Sequence, residues 1–295
     1  MRETFSETTG YYTYASAEWA ATHLPEPLGR AIFRALGALA YRFSTGAREV
    51  VSANLAQVLG RPADSPIVKA AVRESFDRYA VYWHETFRIR VLDDREFDAR
   101  VSPEGVEHVS EALEQGHGAI VVSAHLGNWD VVASWAARLR GFRVMAVTEA
   151  LRPKRLMDLF TRHRQELGMS VVTLDDGTET LRKLRKHLES NGVVAIVADR
   201  DLSGKGVKVE MFGRPLRLPG GPAYLSLATG APIVCISSVS HGGRWRFRVG
   251  EPLRVEMTGD RRADVQALTE VMASEIERVI SAFPTEWHMF QPAWP

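Results

Sequence analysis

Apolar residues in the first part of the chain recur at helical spacing. Leu28, Ile32, Leu36, Leu39 and Phe43 share one face of segment 26–43, and Arg30, Arg34 and Arg42 fall on the other side. Segments 47–59 and 65–88 repeat the pattern, with Gly60 and Pro62 breaking between them. Roughly the first hundred residues therefore predict helices. After Gly116 the rhythm changes to short, continuous apolar runs: GAIVVSAH (118–125), FRVMAVTE (142–149), MSVVTL (169–174), GVVAIVAD (192–199) and APIVCISS (231–238). Helical patterns at 128–139, 153–167, 178–189 and 221–228 separate these runs. Apolar strands alternating with helices predict an α/β fold with a mainly parallel central sheet flanked by helices. Segment 244–257 alternates and predicts one or two antiparallel strands near an edge. Segment 261–283 predicts a long amphipathic helix. The tail PTEWHMFQPAWP is too rich in Pro and Trp to be helical, and too apolar to float free. No linker interrupts the chain, so a single domain over 1–295 is expected, with a mainly helical layer over 1–115 and an α/β part over 116–295.

Composition narrows the class. The 295 residues are 45% hydrophobic and 25% charged, which is the range of globular proteins rather than disordered or collagen-like chains. No apolar run approaches the ~20 residues of a membrane-spanning helix. Lys and Arg total 37 against 36 acids, so only local patches can attract polyanions. The single Cys235 excludes an intramolecular disulfide and a multi-cysteine zinc site, and its apolar surroundings predict an inert core residue. The first residues lack the pattern of a secretory signal. These features point to a reducing cytoplasm or to a membrane face bordering one.

Ligands of parallel α/β sheets bind at the carboxyl ends of the strands. That rule selects Ser123 to Asp130 after the first run, Thr148 and Glu149 after the second, and Asp199-Arg200-Asp201 after the fourth. His125 is the candidate base, because imidazole accepts a proton near neutral pH. Asp130 lies five positions on and can reach back to fix the imidazole tautomer. Gly127 permits a tight turn, and Asn128 is a good helix N-cap. Asp199 and Asp201 admit two readings: a D-x-D metal pair of the kind glycosyltransferases use, or one acid supporting His125 while Arg200 meets an anion. Basic residues Arg152, Lys154, Arg155, Arg162 and Arg164 lie on or beside one predicted helix. Arg200, Lys205, Lys208, Arg214 and Arg217 punctuate what reads as a long loop, which suits a phosphate-bearing substrate. SGKG lacks P-loop spacing, and G-x-S-x-G, H-E-x-x-H and G-x-G-x-x-G are absent. Without a nucleophile motif, a base acting directly on a substrate hydroxyl is the simpler mechanism.

AHLGNWD resembles the H-x-x-x-x-D motif of the glycerolipid acyltransferase superfamily. The segments VSANLAQVLG, RYAVYWHETFR, VTEALRPKRLMDLFTRHRQELGM, VADRDLSGKGVKVEMFGRPLRLPGGPA and PTEWHMFQPAWP extend the likeness through the chain. They resemble the lipid A late acyltransferase branch, and within it the actinobacterial phosphatidylinositol mannoside acyltransferases. The resemblance implies transfer of a long-chain acyl group, typically palmitoyl, from acyl-CoA to a mannose hydroxyl. It implies His125 as base, Asp130 orienting it, and Asp199 as a second supporting acid where the family often has Glu. Glu149 and Arg164 match further polar pocket positions, and Arg200 and Asn128 are expected substrate contacts. Backbone N–H groups near Gly127 and Asn128, or an arginine, are candidate oxyanion donors. Trp83, Phe87, Trp129 and Trp135 are candidates to line an acyl groove. No resident cofactor or metal is implied, since acyl-CoA enters as co-substrate. The implied partners are acyl-CoA, the phosphatidylinositol mannoside and an anionic membrane surface met by the first amphipathic helix, not nucleic acid. The implied location is peripheral, on the cytoplasmic face of the plasma membrane. A lipid A type lauroyl or myristoyl transferase and a metal-dependent glycosyltransferase remain the alternatives.

Overall fold

The computed structural model describes residues 5–174, 177–201 and 203–294. Four helices open the chain: α1 (Phe5–His23), α2 (Glu26–Phe43), α3 (Thr45–Leu59) and α4 (Pro66–Arg88). Local signals set their ends. Gly60 stops α3 in the left-handed conformation, with φ 59°. The Ser65 hydroxyl caps α4 by accepting the Val68 N–H, and Pro66 sits in its first turn. Then follow α5 (Asp94–Ala99), β1 (Val101–Glu104) and α6 (Glu107–Glu114).

The α/β part runs β2 (Ala119–Ser123), α7 (Trp129–Leu139), β3 (Val144–Thr148), α8 (Lys154–Glu166), β4 (Ser170–Thr173), α9 (Gly177–Glu189) and β5 (Val193–Val197). It continues through β6 (Val207–Met211), β7 (Arg214–Leu218), α10 (Gly221–Thr229), β8 (Ile233–His241), β9 (Arg244–Pro252) and α11 (Arg261–Ala282). Seven strands form one sheet in the order β1-β9-β8-β2-β5-β3-β4. Strands β8, β2, β5, β3 and β4 are mutually parallel, while β9 runs antiparallel to β8 and β1 is parallel to β9. This is the mainly parallel, helix-flanked sheet that the apolar runs predict. One face packs on α9, α10 and α11 through residues such as Ile120, Val194, Leu188, Leu225 and Met272. The other packs on α6 and α7 through Val109, Val131, Trp135 and Phe247.

Two elements depart from expectation. β1 joins the sheet from within the mainly helical part. The expected loop after β5 contains the antiparallel hairpin β6–β7, a separate two-stranded sheet. Val209, Met211, Leu216 and Leu218 point into the core near α11, and Lys208 and Arg217 alternate outward.

Helix α2 packs against α4 by its narrow side, not by its apolar stripe. Gly29, Phe33 and Gly37 are the buried positions. A Cβ at Gly37 would meet Ala80 Cβ and the Phe76 carbonyl oxygen at 2.9 Å, so the absent side chain sets the helix spacing. Leu28, Ile32, Leu36, Leu39 and Phe43 consequently face outward, with Phe43 72% exposed. Arg30 pairs with Glu85 (2.9 Å) and Arg34 with Asp77 (3.1 Å), both acids on α4. No helix among the described residues is long and apolar enough to cross a membrane.

Gly37→Val forces α2 away from α4. Overpacking of this kind is expected to cost about 1–3 kcal/mol, read as a lower midpoint in urea unfolding.

Candidate active site

Strands β2 and β5 are neighbours, with Ser123 opposite Val197. The residues two positions beyond each end therefore come together, and these are His125 and Asp199. His125 Nδ1 donates to Asp199 Oδ1 at 2.7 Å, and the His125 backbone N–H donates to Asp199 Oδ2 at 2.9 Å. The Trp287 indole N–H donates to the same Oδ2 at 2.8 Å. The Asp199 carboxylate is fully buried, while the imidazole is 29% exposed. Burial alone would raise the carboxyl pKa. The His125 charge and the hydrogen bonds from His125 and Trp287 outweigh it and hold the group below the usual carboxylate range. An ionised Asp199 accepts the Nδ1 proton, so the Nε2 lone pair remains available as a base.

The C-terminal segment is built into this loop. Leu126 bridges Trp287 in antiparallel fashion. The Gly127 N–H donates to the Glu286 carbonyl (2.9 Å), and the His288 N–H donates to the His125 carbonyl (2.6 Å). Gly127 sits at φ 61°, and a Cβ there would meet the Ser238 carbonyl oxygen at 1.9 Å, so no other residue fits without rebuilding the loop. The Trp287 and His288 contacts were not foreseen from the sequence, although the tail's high aromatic content forecast that it docks. His288 lines the same cavity as His125. Its imidazole is pushed down to about 3 by burial, then by the His125 charge, so the ring is neutral.

Asp130 does not orient His125. Its carboxylate accepts from Arg164 Nε at 2.8 Å, from Arg164 Nη2 at 3.3 Å and from the Tyr82 hydroxyl at 3.0 Å, all buried. The first turn of α7 aims Asp130 at α4 and α8, away from the imidazole. Asn128 is likewise not a cavity residue. It caps α7 through the Val131 N–H, accepts from the Thr86 hydroxyl, and lies buried. The proposed backbone oxyanion donors are also engaged: Gly127 N–H with Glu286, and Asn128 N–H with Ser238 Oγ.

His125 opens on a cavity of about 660 Å³, within the range of small-molecule sites. Trp83, Trp129, Leu151, Phe160, Leu184 and Leu225 supply apolar wall, and Glu149 and Arg200 form an ion pair on it. Trp129, Arg164, Val147 and Ile196 also line a smaller apolar slot of about 80 Å³ beside α7, reaching Trp135 and Phe247. Of the four aromatic residues expected along an acyl groove, Phe87 is instead fully buried beneath α1 and α2. Asp199 and Asp201 do not act as a pair. Asp199 is held by His125 and Trp287, and Asp201 accepts from Ser203 and from the Gly206 N–H.

A buried Asp199 paired with a partly exposed His125 at a strand end thus opens on a largely apolar cavity. The chain belongs to the bacterial lipid A biosynthesis acyltransferase family, whose model matches residues 3–295. It is 33% identical over 283 residues to the phosphatidylinositol mannoside acyltransferase of Mycolicibacterium smegmatis, covering 95% of this chain and 90% of that protein. It is 34% identical over 304 residues to the protein of the same name from Mycobacterium tuberculosis, covering 99% and 91%.

Glu286 gives the docked C-terminal segment a pH signature. Burial pushes its carboxyl up to about 7 against the attraction of Arg78, with Glu85 and Glu74 adding repulsion. A raised carboxyl favours folding when protonated, so this contribution is full below about pH 4.5 and is lost as pH rises through about 7. Glu286→Gln removes that dependence. Its melting temperature relative to wild type is expected to rise by a few degrees between pH 5 and pH 8, measured by scanning calorimetry.

Proposed function

We propose that the protein transfers a long-chain acyl group, palmitoyl in the first instance, from acyl-CoA to a mannose hydroxyl of a phosphatidylinositol mannoside. The observation that carries this reading is the His125–Asp199 contact at the mouth of a mostly apolar cavity, in a chain so similar to enzymes bearing that substrate's name. Nε2 of His125 takes the hydroxyl proton as the oxygen attacks the thioester carbon. The new C–O bond gives a tetrahedral oxyanion. Its collapse breaks the C–S bond, and the leaving thiolate takes the proton back from the imidazolium. Asp199 stabilises that imidazolium and keeps Nδ1 protonated, while Trp287 fixes the carboxylate. Arg200 lines the cavity beside Glu149 and is our candidate for the oxyanion donor, since the loop amides are engaged. No acyl-enzyme is required, and the chain needs no resident cofactor for this chemistry. The acyl chain lies along the apolar wall toward the slot at Trp129 and Trp135. The acceptor sugar meets Glu149 and Arg200.

The D-x-D glycosyltransferase reading is disfavoured, because Asp199 and Asp201 are committed to separate hydrogen-bond sets. A lipid A type acceptor is disfavoured by the names of the relatives that cover nearly the whole chain.

His125→Ala is expected to lower turnover about 10²–10⁴-fold with the fold retained. Trp287→Phe, which keeps a ring but loses the N–H, is expected to lose roughly tenfold in kcat. Asp130→Asn instead leaves Arg164 buried and poorly paired, and costs about 3–5 kcal/mol of stability. Mass spectrometry of products from acyl-CoAs of graded length with purified phosphatidylinositol mannosides, beside calorimetry of each variant, reads all three. Near-normal transfer by His125→Ala would sink the mechanism.

For location we propose peripheral attachment to the cytoplasmic face of the plasma membrane through the outward stripe of α2. Arg30 and Arg34 are paired with α4 acids, so burial of Leu36, Leu39 and Phe43 rather than arginine charge drives it. Leu36→Glu with Phe43→Glu is expected to weaken partition onto liposomes at least about tenfold in a flotation assay. Equal flotation of variant and wild type would remove α2 from the interface.

A further inference from the structure

Asn54 and Arg78 belong to the segments VSANLAQVLG and RYAVYWHETFR, yet neither lines the His125 cavity. Both are spent on the C-terminal segment. Asn54 lies buried on α3. Its Nδ2 donates to the Met289 carbonyl at 3.0 Å and to the Gln291 carbonyl at 2.8 Å, and its Oδ1 accepts the Ala293 N–H at 3.1 Å. Arg78, on α4, meets the other end of the same segment. Its Nη1 pairs with the Glu286 carboxylate at 3.3 Å and donates to the Ser240 carbonyl at 2.9 Å, while Nη2 donates to Glu74 at 3.0 Å.

Trp287 sits between these two anchors, one residue after Glu286 and two before Met289. Its indole N–H is one of the donors to Asp199 Oδ2. Backbone outside helices and strands must find partners for its polar groups elsewhere, and Asn54 serves three of them at alternate positions. Apolar packing also docks the segment: Phe290 lies against Phe76 and Tyr79, and Trp294 against Trp287. That packing is non-directional, whereas a hydrogen bond weakens steeply with misplacement of its donor. The polar anchors therefore set where the indole N–H points, and the aromatic contacts set how firmly the segment is covered.

We propose that Asn54 and Arg78 are positioning residues for acyl transfer. By fixing the backbone on either side of Trp287 they keep its indole N–H on Asp199, and through Asp199 they hold the His125 ring in its basic tautomer. The inference rests on the reading of His125 as the base. The helices α3 and α4 thereby take part in the reaction without touching a reacting atom. An interaction of that kind acts on kcat and leaves the KM of each substrate unchanged.

Asn54→Asp keeps the side-chain shape and loses both N–H donors; Arg78→Gln loses the charge, and Arg78→Lys restores it. With palmitoyl-CoA and purified phosphatidylinositol mannoside, Asn54→Asp and Arg78→Gln are each expected to lower kcat about fivefold, with both KM values held within about twofold. Arg78→Lys is expected to recover most of that loss. The effect passes through Trp287, so on a Trp287→Phe background either substitution is expected to cost less than about twofold more. NMR titration of the His125 imidazole, assigned by its absence in His125→Ala, does not depend on turnover. Its pKa is expected to move up in Asn54→Asp and Arg78→Gln, as in Trp287→Phe, because a carboxylate relieved of one donor attracts the imidazolium more strongly. Calorimetry sets the assay temperature below every midpoint, and if Asn54→Asp fails to fold the Arg78 variants carry the test. Folded variants with wild-type kcat, a full further loss on the Trp287→Phe background, or an unmoved imidazole titration would each overturn the proposal. Retained transfer by His125→Ala would instead overturn the base reading. An inactive His125→Ala beside unimpaired Asn54 and Arg78 variants overturns the positioning role alone.

Discussion

A buried carboxylate must find donors or give up its charge, and Asp199 finds three. The His125 ring, the His125 amide and the Trp287 indole all converge on it. Each comes from a different constraint. The ring and amide are there because β2 and β5 are in register, and the indole because the C-terminal segment folds back over the loop. Loss of one donor leaves the others strained against an uncompensated charge. The same three bonds that keep Asp199 ionised also fix which imidazole nitrogen is free. Local stability and imidazole tautomer are thus one arrangement.

The sheet was legible in the sequence because parallel strands buried on both faces read as continuous apolar runs, and β2, β3, β4, β5 and β8 all have them. The hairpin β6–β7 was not, since Val209, Met211, Leu216 and Leu218 are interleaved with Lys208, Glu210, Pro215 and Arg217. Alternation over so few residues, with two glycine-rich flanks, looks like loop. β1 was missed for a similar reason: VSPE has one buried residue and a proline, and it exists only because β9 offers an edge.

In the site, strand-end reasoning found His125, Glu149, Asp199 and Arg200, all of which reach the cavity or its histidine. Sequence spacing misdirected the pairing. Asp130 is near His125 along the chain, but the turn through Gly127 and the cap at Asn128 rotate it to the far side of α7, where Arg164 neutralises it. Asp199 is seventy-four positions away and is the partner. Register between adjacent parallel strands, not local spacing, carries that information. Trp287 and His288 had no such signal, because a segment outside regular structure declares its contacts only through tertiary packing.

Helix α4 joins the two faces of the molecule. On one side its Asp77 and Glu85 hold the α2 arginines, and Ala80 and Phe76 accept the bare Gly37 position. On the other side Tyr79, Tyr82 and Trp83 line the cavity, and the Tyr82 hydroxyl holds Asp130. Helices packed through small residues sit about 8–10 Å apart. A surface resting against Leu36 and Phe43 is thus roughly one helix layer from the cavity wall. The glycines of α2 matter for that geometry as much as its leucines do: they let the helix bind by its thin side and leave the apolar side unspent.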